Sequence, residues 1–217
     1  MTAIRMNSEK TLEKLLSIAG PALRDSTPPA PSILETQGRL GAELYGLLCR
    51  RNGFYVFESA LHMLPLGFGK GMDLETWNSS GLWRQEFGNK ADGLLFFAED
   101  LFGTQFALRD DRVLLFDPET GEAKEFASDL CEWSGRILDD YEFLTGYPLG
   151  HAWQESHGAL PRDRRLVPKV PFVLGGAFEL ENLYLADPVE AMRFRGDLAH
   201  QIQNLSDGEQ VRLKILD

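Results

Sequence analysis

Apolar positions recur along this chain with two different spacings, and the switch between them divides it into segments. In residues 8–19, SEKTLEKLLSIA, Leu12, Leu15, Leu16 and Ala19 fall on one helical face, with Ser8 placed to cap the helix. The next stretch, GPALRDSTPPAPS, holds four prolines between Pro21 and Pro31 and predicts an extended strap, not a strand. Residues 1–31 thus read as an N-terminal helix and proline-rich arm joined to a body at 32–217. Helical spacing returns in GRLGAELYGLLCRR, residues 38–51, through Leu40, Leu44, Leu47 and Leu48, and Gly53 suits a left-handed cap. FYVFESALHMLPLG reads as a buried wall, partly extended and closed by Pro65. The following segment is loop-rich, with Asp73 opening one helical turn around Trp77.

From Leu94 the period becomes two. LLFFA and TQFALRD predict strands around a short connection in which Gly103 supplies a positive φ. RVLLFD and EAKEFA flank the turn Pro118-Glu119-Thr120-Gly121, so residues 94–127 form an antiparallel meander of about four strands. Ser128 is placed to cap a helix whose apolar side is Leu130, Trp133, Ile137, Leu138, Tyr141 and Leu144, stopped by Gly146 and Pro148. Residues 149–157 make a short helix ended by Gly158. RRLVPKVPFVLGG is strand-like but interrupted by Pro168 and Pro171, and ENLYLAD is a second strand. Asp187-Pro188-Val189-Glu190 then starts a helix running to about Asn204, with a capping box completed by Glu190. Asp207-Gly208 turns into a last strand, EQVRLKIL. Residues 171–187 echo the plan of 94–110; either the two hairpins are a duplication extending one sheet, or they are alike as hairpins generally are. The pattern predicts an α+β fold: a mixed, largely antiparallel sheet built from hairpins and flanked by α-helices.

Composition narrows the function. With 43% hydrophobic and 25% charged residues, the chain can bury a core without disulfide or metal staples. Its 33 acids against 22 Lys and Arg give a net charge of −11, which argues against nonspecific binding to nucleic acid or anionic membranes and fits a basic protein partner. The start, MTAIRMNSEK, lacks the apolar core of a signal peptide, and no apolar run approaches the roughly 18 residues of a membrane span, so a cytoplasmic location is expected. Cys49 and Cys131 sit in helix-like segments and read as buried, inert thiols, with a disulfide between them as the alternative.

No segment carries a catalytic signature. Glu99 and Asp100 end an apolar run where the chain reverses. As adjacent strand residues they point to opposite faces and cannot share a substrate, and at a solvated corner they would keep ordinary pKa values. They are therefore expected to belong to a partner-facing surface. His151 and His157 do not share a helix face, there is no HExxH, and His62 reads as a core residue. Gly67-Phe68-Gly69-Lys70-Gly71 matches neither phosphate-binding glycine pattern and reads as a flexible loop, and no GxSxG elbow is present. The 14 Phe, 5 Tyr and 4 Trp lack interleaved cations and belong to the core. Catalytic, cofactor and metal residues are accordingly expected to be absent.

RNGFYVFESALH followed by LLFFAEDLFGTQFALRDDRVLLFDPETGEAKEFASDLCEW resembles the SUKH superfamily, also called the Smi/Knr family. The likeness lies in the Asn-Gly after a helix, the hairpin with an acidic corner and Gly, the further strand, and the capped helix bearing Trp133, and it covers roughly residues 38–145. GALPRDRRLVPKVPFVLGGAFELENLYLADP is similar to the C-terminal part of Tdi-type immunity proteins of type VI secretion. The arm before Ser32 and the extension after Tyr147 depart from the SUKH pattern. The resemblance implies one SUKH-like α+β domain over 32–217 and a non-catalytic, cytoplasmic immunity protein that neutralises a polymorphic or contact-dependent toxin, often a nuclease, by direct binding. A fungal branch of the family regulates cell-wall synthesis. The implied partner is a basic toxin domain, with no direct contact to nucleic acid or membrane. The partner-facing acids are expected to be Glu99 and Asp100 with Asp139, Asp140 and Glu142. A regulatory or scaffolding module binding a housekeeping protein is the alternative. A third reading, a hydrolase with carboxylates from distant segments, predicts a deep cleft lined by acids of raised pKa.

Overall fold

Six antiparallel strands in sequence order organise the molecule: β1 (Phe54–Val56), β2 (Leu61–Met63), β3 (Leu95–Asp100), β4 (Gln105–Arg109), β5 (Arg112–Asp117) and β6 (Glu122–Ala127). The computed structural model describes residues 2–67, 69 and 72–205, residues 2–9 by their backbone only. The predicted meander is β3–β6, and the apolar wall before it supplies the hairpin β1–β2. The β4–β5 connection is short because Asp110 and Asp111 both take positive φ, 49° and 60°, whose twist matches that of paired strands. Gly103 at φ 85° and Gly121 at φ 68° turn the chain at the other end of the sheet.

Every residue of β3 is buried, because both faces of the sheet are covered. On one face Phe97 and Phe106 meet Trp133 edge-on, at centroid separations of 5.4 and 5.7 Å. On the other, Phe96 packs on Trp83 at 5.1 Å and Phe116 on Phe87 at 5.2 Å. Trp133 lies on α5 (Leu130–Asp139), beside α1 (Thr2–Ile18) and α3 (Gly38–Arg50); Trp77 lies on α4 (Leu74–Trp77), and Trp83 and Phe87 lie in or beside the short helical turns of Arg84–Ala91. Burial of these rings, with the leucines packed among them, stabilises the sheet's two faces by about 1.5–3 kcal/mol per large apolar side chain.

The N-terminal segment is not an appended arm. Leu15 and Leu16 of α1 are in the main core, and Thr11 Oγ1 donates to the Cys131 carbonyl at 2.8 Å. The proline-rich strap is tied down too: Asn52 Nδ2 donates to the carbonyls of Ser26 and Leu66, at 2.7 and 2.9 Å, and Thr27 Oγ1 to that of Leu48. The helix starts ahead of Ser8, so that residue is not its cap. Short α2 (Ser32–Glu35) leads from the strap into α3. Cys49 is exposed, on the side of α3 away from its Leu44–Leu48 stripe, and Cys131 is half-buried, so neither is the buried thiol expected.

The single helix expected after β6 is broken. α5 ends at Asp139, Asp140 leaves helical geometry (φ −140°, ψ 45°), and α6 (Tyr141–Thr145) follows. The cap of α5 is Asp129, accepting from the Glu132 amide at 2.8 Å, while Glu132 reaches back to the Ser128 amide and hydroxyl.

A C-terminal lobe packs on one end of the sheet. It comprises α7 (Tyr147–His157), the two-stranded antiparallel sheet of β7 (Arg165–Pro168) and β8 (Leu183–Ala186), and α8 (Pro188–Ile202). Its core joins Trp153, Leu160, Leu166 and Leu183 to Leu101 and Phe102 of the β3–β4 corner. β7 and β8 do not extend the first sheet. The segment between them is a loop with short 3-10 turns, pinned where Asn182 Nδ2 donates to the Val170 and Ala177 carbonyls. The echo of the first hairpin is therefore one of sequence pattern only. α8 begins as predicted, Asp187 Oδ1 accepting from the amides of Val189 and Glu190. The predicted strand in 209–216 lies outside the described residues, as does part of the Gly67–Gly71 loop. Among the described residues, no helix is long and apolar enough to cross a membrane.

Candidate functional site

Strand register aligns four polar side chains in one row across the sheet: Tyr55 pairs with His62, His62 with Glu99, and Glu99 with Gln105. Directly opposed residues of antiparallel strands share a face, so the row lies on a single side. His62 Nδ1 is 3.0 Å from Glu99 Oε1, and Gln105 Nε2 donates to Glu99 Oε2 at 3.2 Å. Trp77 Nε1 donates to Gln105 Oε1 at 2.8 Å, and Tyr55 stacks on the imidazole at 4.4 Å. Arg165, delivered by β7, closes the row. Its Nε and Nη2 lie 2.8 and 2.6 Å from Glu99 Oε1, and its guanidinium covers the Tyr55 ring at 5.5 Å.

The row is buried, with Glu99 4% and Arg165 2% exposed. Burial pushes the Glu99 carboxyl up, but the Arg165 charge, with hydrogen bonds from His62 and Gln105, outweighs it and holds the group at about 2. Burial, helped by Arg165, lowers His62, which keeps its imidazole neutral near pH 7. A cleft of about 1450 Å³ opens over this row, lined also by Arg24, Asp73, Arg162 and Asp187. Both Glu99 oxygens already have protein partners. The row therefore ties the lobe to the sheet.

Asp100 points to the other face and meets a different environment. Its Oδ1 accepts from the amides of Phe102 and Thr104, at 2.9 and 2.7 Å, and so shapes the corner around Gly103. The nearest cation, Arg195 of α8, is 3% exposed and donates from Nη1 to the Phe102 carbonyl at 2.6 Å. Burial therefore prevails over the backbone hydrogen bonds and the Arg195 charge, and pushes the Asp100 carboxyl up to about 7. Glu119, in the β5–β6 turn, is also buried and raised by burial. Its Oε2 accepts from the Val173 amide at 2.8 Å, whereas its Oε1 has no hydrogen-bond partner among the described residues.

Asp100, Asp117, Glu119 and Arg195 line a hollow of about 360 Å³ at the sheet end. Four phenylalanines line it beside Leu115, Leu144 and Val173. Phe172 and Phe178 stack at 3.9 Å, Phe102 meets Phe172 edge-on at 5.4 Å, and Phe143 of α6 stands opposite them, 82% exposed, with Phe178 64% exposed. Gly146 permits this packing: at φ 71° a Cβ there would lie 2.4 Å from the Phe102 ring.

Sequence reasoning placed Glu99 and Asp100 on a solvated corner with ordinary pKa values; both are buried with shifted ones, because the C-terminal lobe covers the corner. Asp139, Asp140 and Glu142 are exposed around the α5–α6 break, and Glu142 adjoins Phe143 at the hollow's rim. The structure thus brings Asp100 and the α6 acids to one end of the molecule, and sends Glu99 to the opposite face. Nothing in the local sequence marks Arg165, Glu119 or Arg195 as part of either site. Glu119 read as a turn residue, and the arginines lie 66 and 93 residues from the partners they reach.

Comparison with known proteins adds a fold and nothing finer. No protein-family model and no curated protein matches the chain. It is similar to the crystal structure of Atu4351 from Agrobacterium tumefaciens, with 12% identity, 84% of this chain and 86% of that one covered, and a TM-score of 0.55. At that identity the likeness concerns the α+β fold alone.

Proposed function

We propose that this protein is a non-catalytic binding domain, an immunity protein that neutralises a basic bacterial toxin by occupying its surface. The observation that carries the reading is the exposed aromatic patch at the sheet end. Phe143, Phe178 and Val173 are 82%, 64% and 42% exposed, and they rim a hollow containing three carboxylates, with exposed Glu142 next to Phe143 in sequence. Large apolar side chains beside unspent negative charge suit a cationic protein, whose attraction to a chain of net charge −11 speeds encounter. The resemblance to SUKH and Tdi-type immunity proteins supports the same reading.

The hydrolase alternative draws on Asp100 and Glu119, two raised carboxyls in one hollow. Against it, Asp100 is engaged by two backbone amides, and among the described residues no serine, cysteine or histidine lines the hollow beside it. The test is co-expression in a sensitive host with any toxin found encoded beside this gene. Protection and a stable complex on size-exclusion chromatography are expected; killing undiminished by this protein would overturn the reading.

A further inference from the structure

We infer that the hollow at the sheet end is the anchoring pocket for an arginine side chain projected by the basic protein partner. The inference rests on the binding role proposed above and specifies its chemistry. Three acids, Asp100, Asp117 and Glu119, face one cation, Arg195; burial raises Asp100 and Glu119, so an incoming cation would draw both toward the ionised form. Among the described residues Arg195 forms no ion pair within 4 Å; its Nη1 is committed to the Phe102 carbonyl, and a side chain at Gly103 would abut that nitrogen at 3.0 Å. Glu119 points the same way. It is 5% exposed and anchored through Oε2 to the Val173 amide, yet Oε1 is buried without a partner. Oε1 itself has no exposed surface, so an incoming cation would meet Glu119 through its charge and not through a bond to that oxygen.

The walls select among donors. Phe102, Phe172 and Phe178 line the hollow, and Phe143 stands at its mouth. A guanidinium is planar, weakly hydrated, and able to stack on aromatic rings while donating to a carboxylate in its plane; an ammonium matches only the charge. A volume of about 360 Å³ is at the small end of ligand pockets, enough for one long side chain and too small for a folded element. Ringed by exposed aromatics, such an anchor has the composition of an interface hot spot, where Arg and large aromatics predominate.

The experiment uses the full-length protein and N-acetyl-arginine methylamide as the probe, with its citrulline analogue as a neutral control of the same shape. Amide resonances of Val173, Phe102 and Thr104 report on the pocket, because these N–H groups donate to its carboxylates. The arginine probe should produce saturable shifts at these amides and the citrulline probe should not. Glu119→Gln should weaken arginine binding about tenfold with an unchanged far-UV spectrum. Equal binding of both probes, or of neither, would overturn the inference, and this comparison needs only the wild-type protein should the variant misfold. Neither arm involves the toxin. Arginine binding without cellular protection would remove the immunity reading alone; protection without arginine binding would remove the pocket alone.

Discussion

Glu99 and Asp100 are neighbours on one strand, equally buried, yet one is a strong acid and the other is half-protonated near neutrality. The difference lies in what the C-terminal lobe delivers to each face. Arg165 gives two guanidinium nitrogens directly to Glu99, and the cross-strand row supplies further donors. Arg195 approaches Asp100 but spends its hydrogen bond on a backbone carbonyl, leaving that carboxyl with neutral amides only. Burial alone therefore does not set a carboxyl's ionisation. The saturated side works as a clamp between sheet and lobe, and the undersatisfied side keeps the capacity to take a ligand.

The largest effect should come from breaking the clamp. Arg165→Ala leaves Glu99 buried without its counter-ion and should cost about 3–5 kcal/mol in urea unfolding near neutral pH. A loss under about 1 kcal/mol would place Glu99 outside the role of a buried ion-pair partner. Next is Asp100→Asn, which retains an oxygen for the Phe102 and Thr104 amides. Asp100 is raised when folded, so its contribution to stability is full below the ordinary 3.8 and is lost as pH rises through about 7. The variant should therefore gain on wild type between pH 5 and pH 8, by on the order of 2 kcal/mol at the upper end. Glu99 has the opposite sign. Its contribution is present above the ordinary 4.5 and is lost as pH falls through about 2, so Glu99→Gln should narrow the gap to wild type only under strong acid.

Smaller effects should separate binding from folding. Phe143→Ala should change stability by less than about 0.5 kcal/mol, since the ring is 82% exposed, but weaken toxin binding by about 2 kcal/mol in calorimetry if the sheet end is the interface. The double replacement Asp139→Asn with Asp140→Asn should do least. The two acids are exposed, so the association rate and its salt dependence should fall, with little change in dissociation.

What could be read in advance was local. The meander at 94–127 announced itself through alternation and turn residues, and the start of α8 through Asp187 and Pro188, because strands and caps depend on near neighbours. The break at Asp140 was masked by an apolar stripe that continues through Leu144 although the backbone does not. The strap looked detachable because proline content reports local extension and is silent on Asn52, whose amide ties it down from another segment. The fate of Glu99 and Asp100 was least legible. An acidic pair before a Gly has the composition of an exposed turn, and only the arrival of Arg165 and Arg195 from far along the chain buries it.

Carboxyl carbon NMR across a pH titration of the wild-type protein, with Glu99 and Asp100 assigned, tests the contrast most directly. The account predicts midpoints far apart, Glu99 near 2 and Asp100 near 7. Coincident midpoints close to the ordinary carboxyl value of about 4 would contradict it, and with it the division into a saturated clamp on one face and an undersatisfied hollow on the other.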